Sequence, residues 1–123
     1  MHNQLNKLLE NILIEHKCKP NLRKALVKQL TEETREYYDL LKKRINHGEK
    51  LAPIELKIMR DKINEDMEGL KVTLMAKFIG GETAVPVAVA YDFDEEGQRQ
   101  TIAEIKANYP INYICGFQRH IQN

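Results

Sequence analysis

The chain has 123 residues, 42% of them hydrophobic and 30% charged, which suits one folded domain and excludes a disordered tail or a fibrous repeat. No window approaches the roughly 18 consecutive apolar residues that span a bilayer. The first residues, Met1 to Gln4, lack the basic start and apolar run of a secretory leader, so a cytoplasmic protein with no membrane partner is expected. Nineteen Lys and Arg against eighteen Asp and Glu leave a net charge of +1, and no global field draws the chain towards nucleic acid.

In chain order, Leu5, Leu8, Leu9, Ile12 and Leu13 recur at spacings of three and four and predict a helix that ends before Pro20. Proline suits a first helical turn, so a second helix is predicted from Pro20 or Asn21. Its stripe is Leu22, Leu26, Leu30, Tyr37, Leu41 and Ile45, and Gly48 stops it. Unbroken, it would run roughly 27 residues, or about 40 Å. Thr31 followed by Glu32 and Glu33 offers the alternative of a fresh N-terminus there.

Pro53 opens a third helix with Ile54, Ile58, Met59, Ile63 and Met67 as its apolar stripe, closed by Gly69. The short connection from His47 to Ala52 predicts that helices two and three form a long antiparallel hairpin. From Lys71 the period changes to alternation: Val72, Leu74, Ala76 and Phe78 share one face, then Val85, Val87, Val89, Tyr91 and Phe93 share another after a Gly80-Gly81 turn. Pro86 lacks an amide donor and points to an edge strand. Helical spacing returns with Ile102, Ile105 and Tyr109 up to Pro110, and a last strand carries Ile111, Tyr113, Cys115 and Phe117. The expected fold is α+β, a single domain over 1–123: a three-helix part with its long hairpin (1–69), then a small sheet in β-β-α-β order (70–123).

Four groups of side chains are candidates for chemistry. Lys17, Lys19, Arg23, Lys24 and Lys28, with His16, make a basic corner between the first two helices that suits a phosphate backbone. No aromatic residue is interleaved there to stack on bases, which favours a solvated surface. Asp92 and Asp94 would leave a strand on the same side and share a magnesium ion if the strand continued through both, as in a magnesium-dependent nuclease. The competing reading is that Asp94 caps the next helix, with Glu95 and Glu96 on its dipole. His16, Cys18, Cys115 and His120 are acceptable zinc ligands at non-standard spacing, and the two cysteines are expected as reduced thiols.

The fourth group is Tyr37, Tyr38, Tyr91, Tyr109 and Tyr113. Tyr37 continues the apolar stripe of its helix, so Tyr38 is predicted to be the exposed one. With Lys42 and Arg60, Tyr38 is the partner-binding candidate on the hairpin. No phosphate loop follows Gly80-Gly81, and the chain has no Ser for a nucleophile elbow, so no motif asks for a cofactor or catalysis. The favoured expectation is a non-enzymatic protein-binding adaptor, inhibitor or regulator that self-associates through its helices. Size and a wealth of Lys, Asn and Ile suit a small phage or mobile-element protein acting on host or replication machinery. Nucleic-acid binding at 16–28 and the magnesium nuclease are the alternatives.

Overall fold

The structure, a computed structural model, describes residues 3–119. Among these, five α-helices and a three-stranded antiparallel sheet make a mixed α+β fold. The backbone divides into two compact units, Met1–Met67 and Glu68–Asn123, and the division falls in the last turn of the fourth helix.

In the first unit, α1 (Gln4–Glu15) is capped by Asn3, whose side chain accepts the Asn6 amide at 2.8 Å. All five residues of its predicted stripe are buried. It ends in a Schellman turn: the Lys17 amide donates to the Ile14 carbonyl and the Cys18 amide to that of Leu13. Lys17 therefore takes a left-handed φ of 62°, a conformation that glycine adopts at little cost.

The predicted second helix is in fact a 3-10 turn (Pro20–Leu22) leading into α2 (Arg23–Gln29), followed by a separate α3 (Glu32–Asn46). The chain is extended at Leu30 (ψ 147°), and Thr31 caps α3 through its hydroxyl. Two contacts from elsewhere hold the break. Asp66 accepts the Thr31 amide at 2.9 Å and its hydroxyl at 3.1 Å, while Arg35 donates to the Val27 and Lys28 carbonyls at the end of α2. The long second helix is thus corrected to two shorter ones.

α3 ends at Gly48 in a second Schellman turn, with Gly48 donating to Ile45 and Glu49 to Arg44. α4 (Pro53–Gly69) begins on Pro53, and Glu55 reaches back to accept the Ala52 amide at 3.0 Å. Contacts to α4 fix directions. Gln4 bonds Leu51, Glu15 meets Arg60 and His16 meets Asn64, so α1 runs alongside α4 in the same sense. Arg44 meets Glu55, Glu33 meets Lys62 and Thr31 meets Asp66, so α3 runs in the opposite sense. Leu9, Ile12, Leu13, Leu26, Leu41, Met59 and Ile63 are fully buried and form the core of this unit.

The second unit holds β1 (Lys71–Phe78), β2 (Val85–Tyr91), α5 (Glu95–Asn108) and β3 (Ile111–Arg119). The sheet order is β2-β1-β3, with β1 antiparallel to both neighbours. β2 is an edge, as Pro86 requires, and the register shifts beside it: Leu74 pairs with Ala88 but Met75 with Pro86. The valines of β2 do not share the buried face. Val72 and Leu74 lie opposite Ala90 and Ala88, which turns Val89 outward at 53% exposure.

Two helix ends of the same geometry, one built on Lys and one on Gly, make opposite expectations. Lys17→Gly should stabilise the chain by about 0.5–1 kcal/mol and Gly48→Ala should destabilise it by about 1 kcal/mol. Urea unfolding followed by circular dichroism reads both.

Candidate functional site

The break at Thr31 sets the phase of α3. Its buried residues are Thr34, Tyr38 and Leu41, so Tyr38 is the covered tyrosine at 6% exposure and Tyr37 is half-buried. The expectation that Tyr38 is exposed is corrected: a helix started at Thr31 turns by its own cap and does not inherit the stripe of α2. Burial pushes the Tyr38 phenol above its ordinary value, against the opposing charge of Arg23, with Asp39 adding to the rise.

Of the other two hairpin candidates, Lys42 stays beside Tyr38 and Arg60 turns to α1. Lys42 is exposed and its ammonium lies 6.0 Å from the centre of the Tyr38 ring. Arg60 points to α1, 3.3 Å from Glu15, and borders a cleft of about 200 Å³ with Gln4, Lys7, Leu8, Asn11 and Leu56. Tyr38, Lys42 and Arg60 therefore do not gather on one surface.

What the hairpin does expose is apolar. Leu40 is 53% exposed on α3, and Ile54 and Ile58 are 60% and 40% exposed on α4. Of the stripe predicted for α4, only Met59, Ile63 and Met67 are buried. Leu56, half-buried, faces the α1–α4 cleft, while Ile54 and Ile58 turn away. At 100° per residue, Leu40 stands just outside the edge of α3 that carries Glu33 and Arg44. Ile58 stands just outside the edge of α4 that carries Lys62 and Glu55. Those edges are joined by Lys62–Glu33 at 2.7 Å and by the two-pronged Arg44–Glu55 pair, whose second contact is 3.3 Å. Leu40 and Ile58 thus lie level with one another on the outer side of the hairpin, between two fixed ion pairs.

Each pair is charge-assisted. The hydrogen bond from Arg44, and next that from the Ala52 amide, hold the Glu55 carboxyl below the usual range. Lys62 does the same for Glu33. The hydrogen bond that each cation donates to its carboxylate raises the cation in turn, Lys62 by Glu33 and Arg44 by Glu55.

The basic corner is assembled in part. Lys17, Lys19, Lys24 and Lys28 are exposed around the α1–α2 turn, beside a cleft of about 510 Å³ lined by Glu10, Pro20, Asn21, Arg23 and Lys24. Arg23 is drawn aside, its guanidinium 2.8 Å from Glu10. The Glu10 carboxylate therefore offsets Arg23.

The strand that a shared magnesium site would need does not continue through both aspartates, and Asp94 stands as a helix cap. β2 stops at Tyr91, residues 92 and 93 form a turn closed by the Asp94 amide on the Tyr91 carbonyl, and the two carboxylates share no strand face. Asp94 is buried and accepts the Gly97 amide at 2.9 Å as the N-cap of α5, with Glu95 and Glu96 in the first turn. Among the described residues no group of three or more His, Cys, Asp or Glu is placed to hold a metal ion. Cys18 is buried, its Sγ 3.7 Å from the His16 carbonyl oxygen, while the Cys115 side chain and His120 lie outside the described residues, as does the predicted face of Tyr113, Cys115 and Phe117. Tyr91 is buried against Phe93, and Tyr109 is exposed, edge-on to Phe78. No described helix is long and apolar enough to cross a membrane.

Comparison with family models, with curated proteins and with solved structures finds no match to this chain.

Because the folded chain favours the neutral phenol of Tyr38, it binds a proton that the unfolded chain releases at about pH 10. Stability should be intact below that pH and fall as pH rises through the raised value. Tyr38→Phe should flatten this alkaline decline; unchanged curvature in guanidinium melts between pH 9 and 11.5 would refute the assignment.

Proposed function

We propose that this chain is a protein-binding adaptor, inhibitor or regulator that meets its partner with the outer side of the α3–α4 hairpin. The observation that supports the reading is Leu40 and Ile58, held exposed between the Lys62–Glu33 and Arg44–Glu55 pairs, with Ile54 exposed one turn before Ile58 on α4. Single exposed aliphatic residues are ordinary on any surface. Three in one band, two of them between charge pairs and all backed by a rigid helix pair, match the pattern of a contact surface with an apolar centre and a polar rim.

The test separates binding from folding. The double variant Leu40→Asp with Ile58→Asp should keep its unfolding free energy within about 0.5 kcal/mol, because neither side chain packs in the core. It should lose at least tenfold in affinity for a partner captured by the wild-type chain, identified by mass spectrometry and rebound in purified form. A variant that folds and binds that partner as well as wild type removes this face from the function.

A second reading, nucleic-acid binding, is favoured by the four exposed lysines around the α1–α2 cleft. Lys17→Ala, Lys19→Ala, Lys24→Ala and Lys28→Ala together leave the Arg23–Glu10 pair intact. If the corner binds a single strand, the affinity of the wild type falls by about 0.7 logarithmic units per phosphate neutralised for each tenfold rise in salt, and the fourfold variant binds at least 100-fold more weakly. Equal binding by both proteins refutes it.

A further inference from the structure

We infer that the occupant of the α3–α4 face is a second copy of this chain, laid antiparallel across it about a two-fold axis that crosses the hairpin at the level of Leu40 and Ile58. The inference rests on the same reading of that face as a protein contact, and adds the partner.

The argument is one of charge order. α3 opens with Glu32, Glu33 and Glu36 and closes with Lys43 and Arg44, while Lys42 turns towards Tyr38. Because α4 runs in the opposite sense, its acidic second half, with Asp61 and Glu65, lies beside the acidic beginning of α3. The loop that carries His47, Glu49 and Lys50 lies at the other end, where Glu49 and Glu55 both pair with Arg44 and leave Lys43 and Lys50 as the cations without a salt bridge among the described residues. The face therefore has an acidic end and a basic end with the apolar band between them.

A surface of this kind repels a parallel copy and complements an antiparallel one. The register makes this specific. Rotation about an axis at Leu40 places Glu36 of one copy opposite Lys43 of the other, since the two flank Leu40 at nearly equal distances along α3. The same axis at Ile58 brings Glu65 towards Lys50, in the loop that precedes α4. Glu36, Lys43, Lys50 and Glu65 make no salt bridge among the described residues, so all four are available to a neighbour. A net charge of only +1 leaves little repulsion between copies.

The size of the face sets the strength. Fifteen residues of α3 span about 22 Å, and two adjacent helices about 20 Å, a footprint of roughly 450 Å² on each copy. Counted on both copies, that lies below the size of stable specific interfaces and in the range of transient contacts, so the dimer should be weak and reversible.

Sedimentation velocity on the full chain, from 2 to 500 μM, tests this in 50 mM and 500 mM NaCl. A monomer–dimer equilibrium in that range is expected, several-fold weaker at high salt. Leu40→Asp should weaken it at least tenfold with an unchanged circular dichroism melt. Glu36→Lys and Lys43→Glu should each weaken it at least threefold, and the double variant should recover to within about twofold of wild type. A strictly monomeric wild type at 500 μM and low salt overturns the inference, as does a dimer indifferent to Leu40→Asp and to the charge exchange. A monomer whose purified partner is lost by Leu40→Asp overturns self-association and leaves the protein-binding reading standing; a monomer with no such partner overturns both.

Discussion

Asp66, near the end of α4, accepts both the amide and the hydroxyl of Thr31, and this one carboxylate governs the helical unit. It lets the chain leave the helix at Leu30 and start another at Thr31, because the amide exposed by the break is satisfied by charge and not by water. Arg35 completes the corner by covering the carbonyl end of α2. Once α3 starts there, its rotation is fixed: Tyr38 and Leu41 turn inward, Leu40 turns outward, and Glu33 and Arg44 fall in line with Lys62 and Glu55. A continuous helix would have rotated the same residues onto other neighbours.

How far these features were legible in the sequence follows from the distance over which each is decided. The stripe of α1 was readable in full, because five apolar residues at three- and four-residue spacing leave one inward face. The caps at Gly48, Pro53 and Asp94 were also readable, since each depends on residues within three positions. The phase of α3 was not, because Tyr37, Leu41 and Ile45 fit a continuous helix as well as a new one. The deciding partner is Asp66, 35 positions away. In β2 the valines outrank the alanines in hydrophobicity, yet cross-strand pairing with Val72 and Leu74 put the alanines on the buried face.

The candidate surface was missed for a related reason. Ile54 and Ile58 belong to the same apolar pattern as Met59 and Ile63, and only the placement of α1 and α3 around α4 separates those that are covered from those that are not. Leu40 carried a readable signal: it is an aliphatic residue off the stripe of its own helix. The basic corner was visible as composition, but its reduction by the Glu10–Arg23 pair depends on how α1 and the start of α2 pack. Asp92 and Asp94 were one residue pair with two readings, and the end of the strand at Tyr91 separates them.

The irregular pairing around Pro86 has a bearing on solubility. A strand that borders a sheet offers a row of amides and carbonyls onto which any other extended chain can stack without regard to sequence, the route to runaway fibres. On β2 that row lacks the proline donor and is bent out of step where Leu74 and Met75 change partners. Indiscriminate growth along this border is hindered, so association made there must be chosen by the shape and charge of side chains, which can be selective and can be reversed.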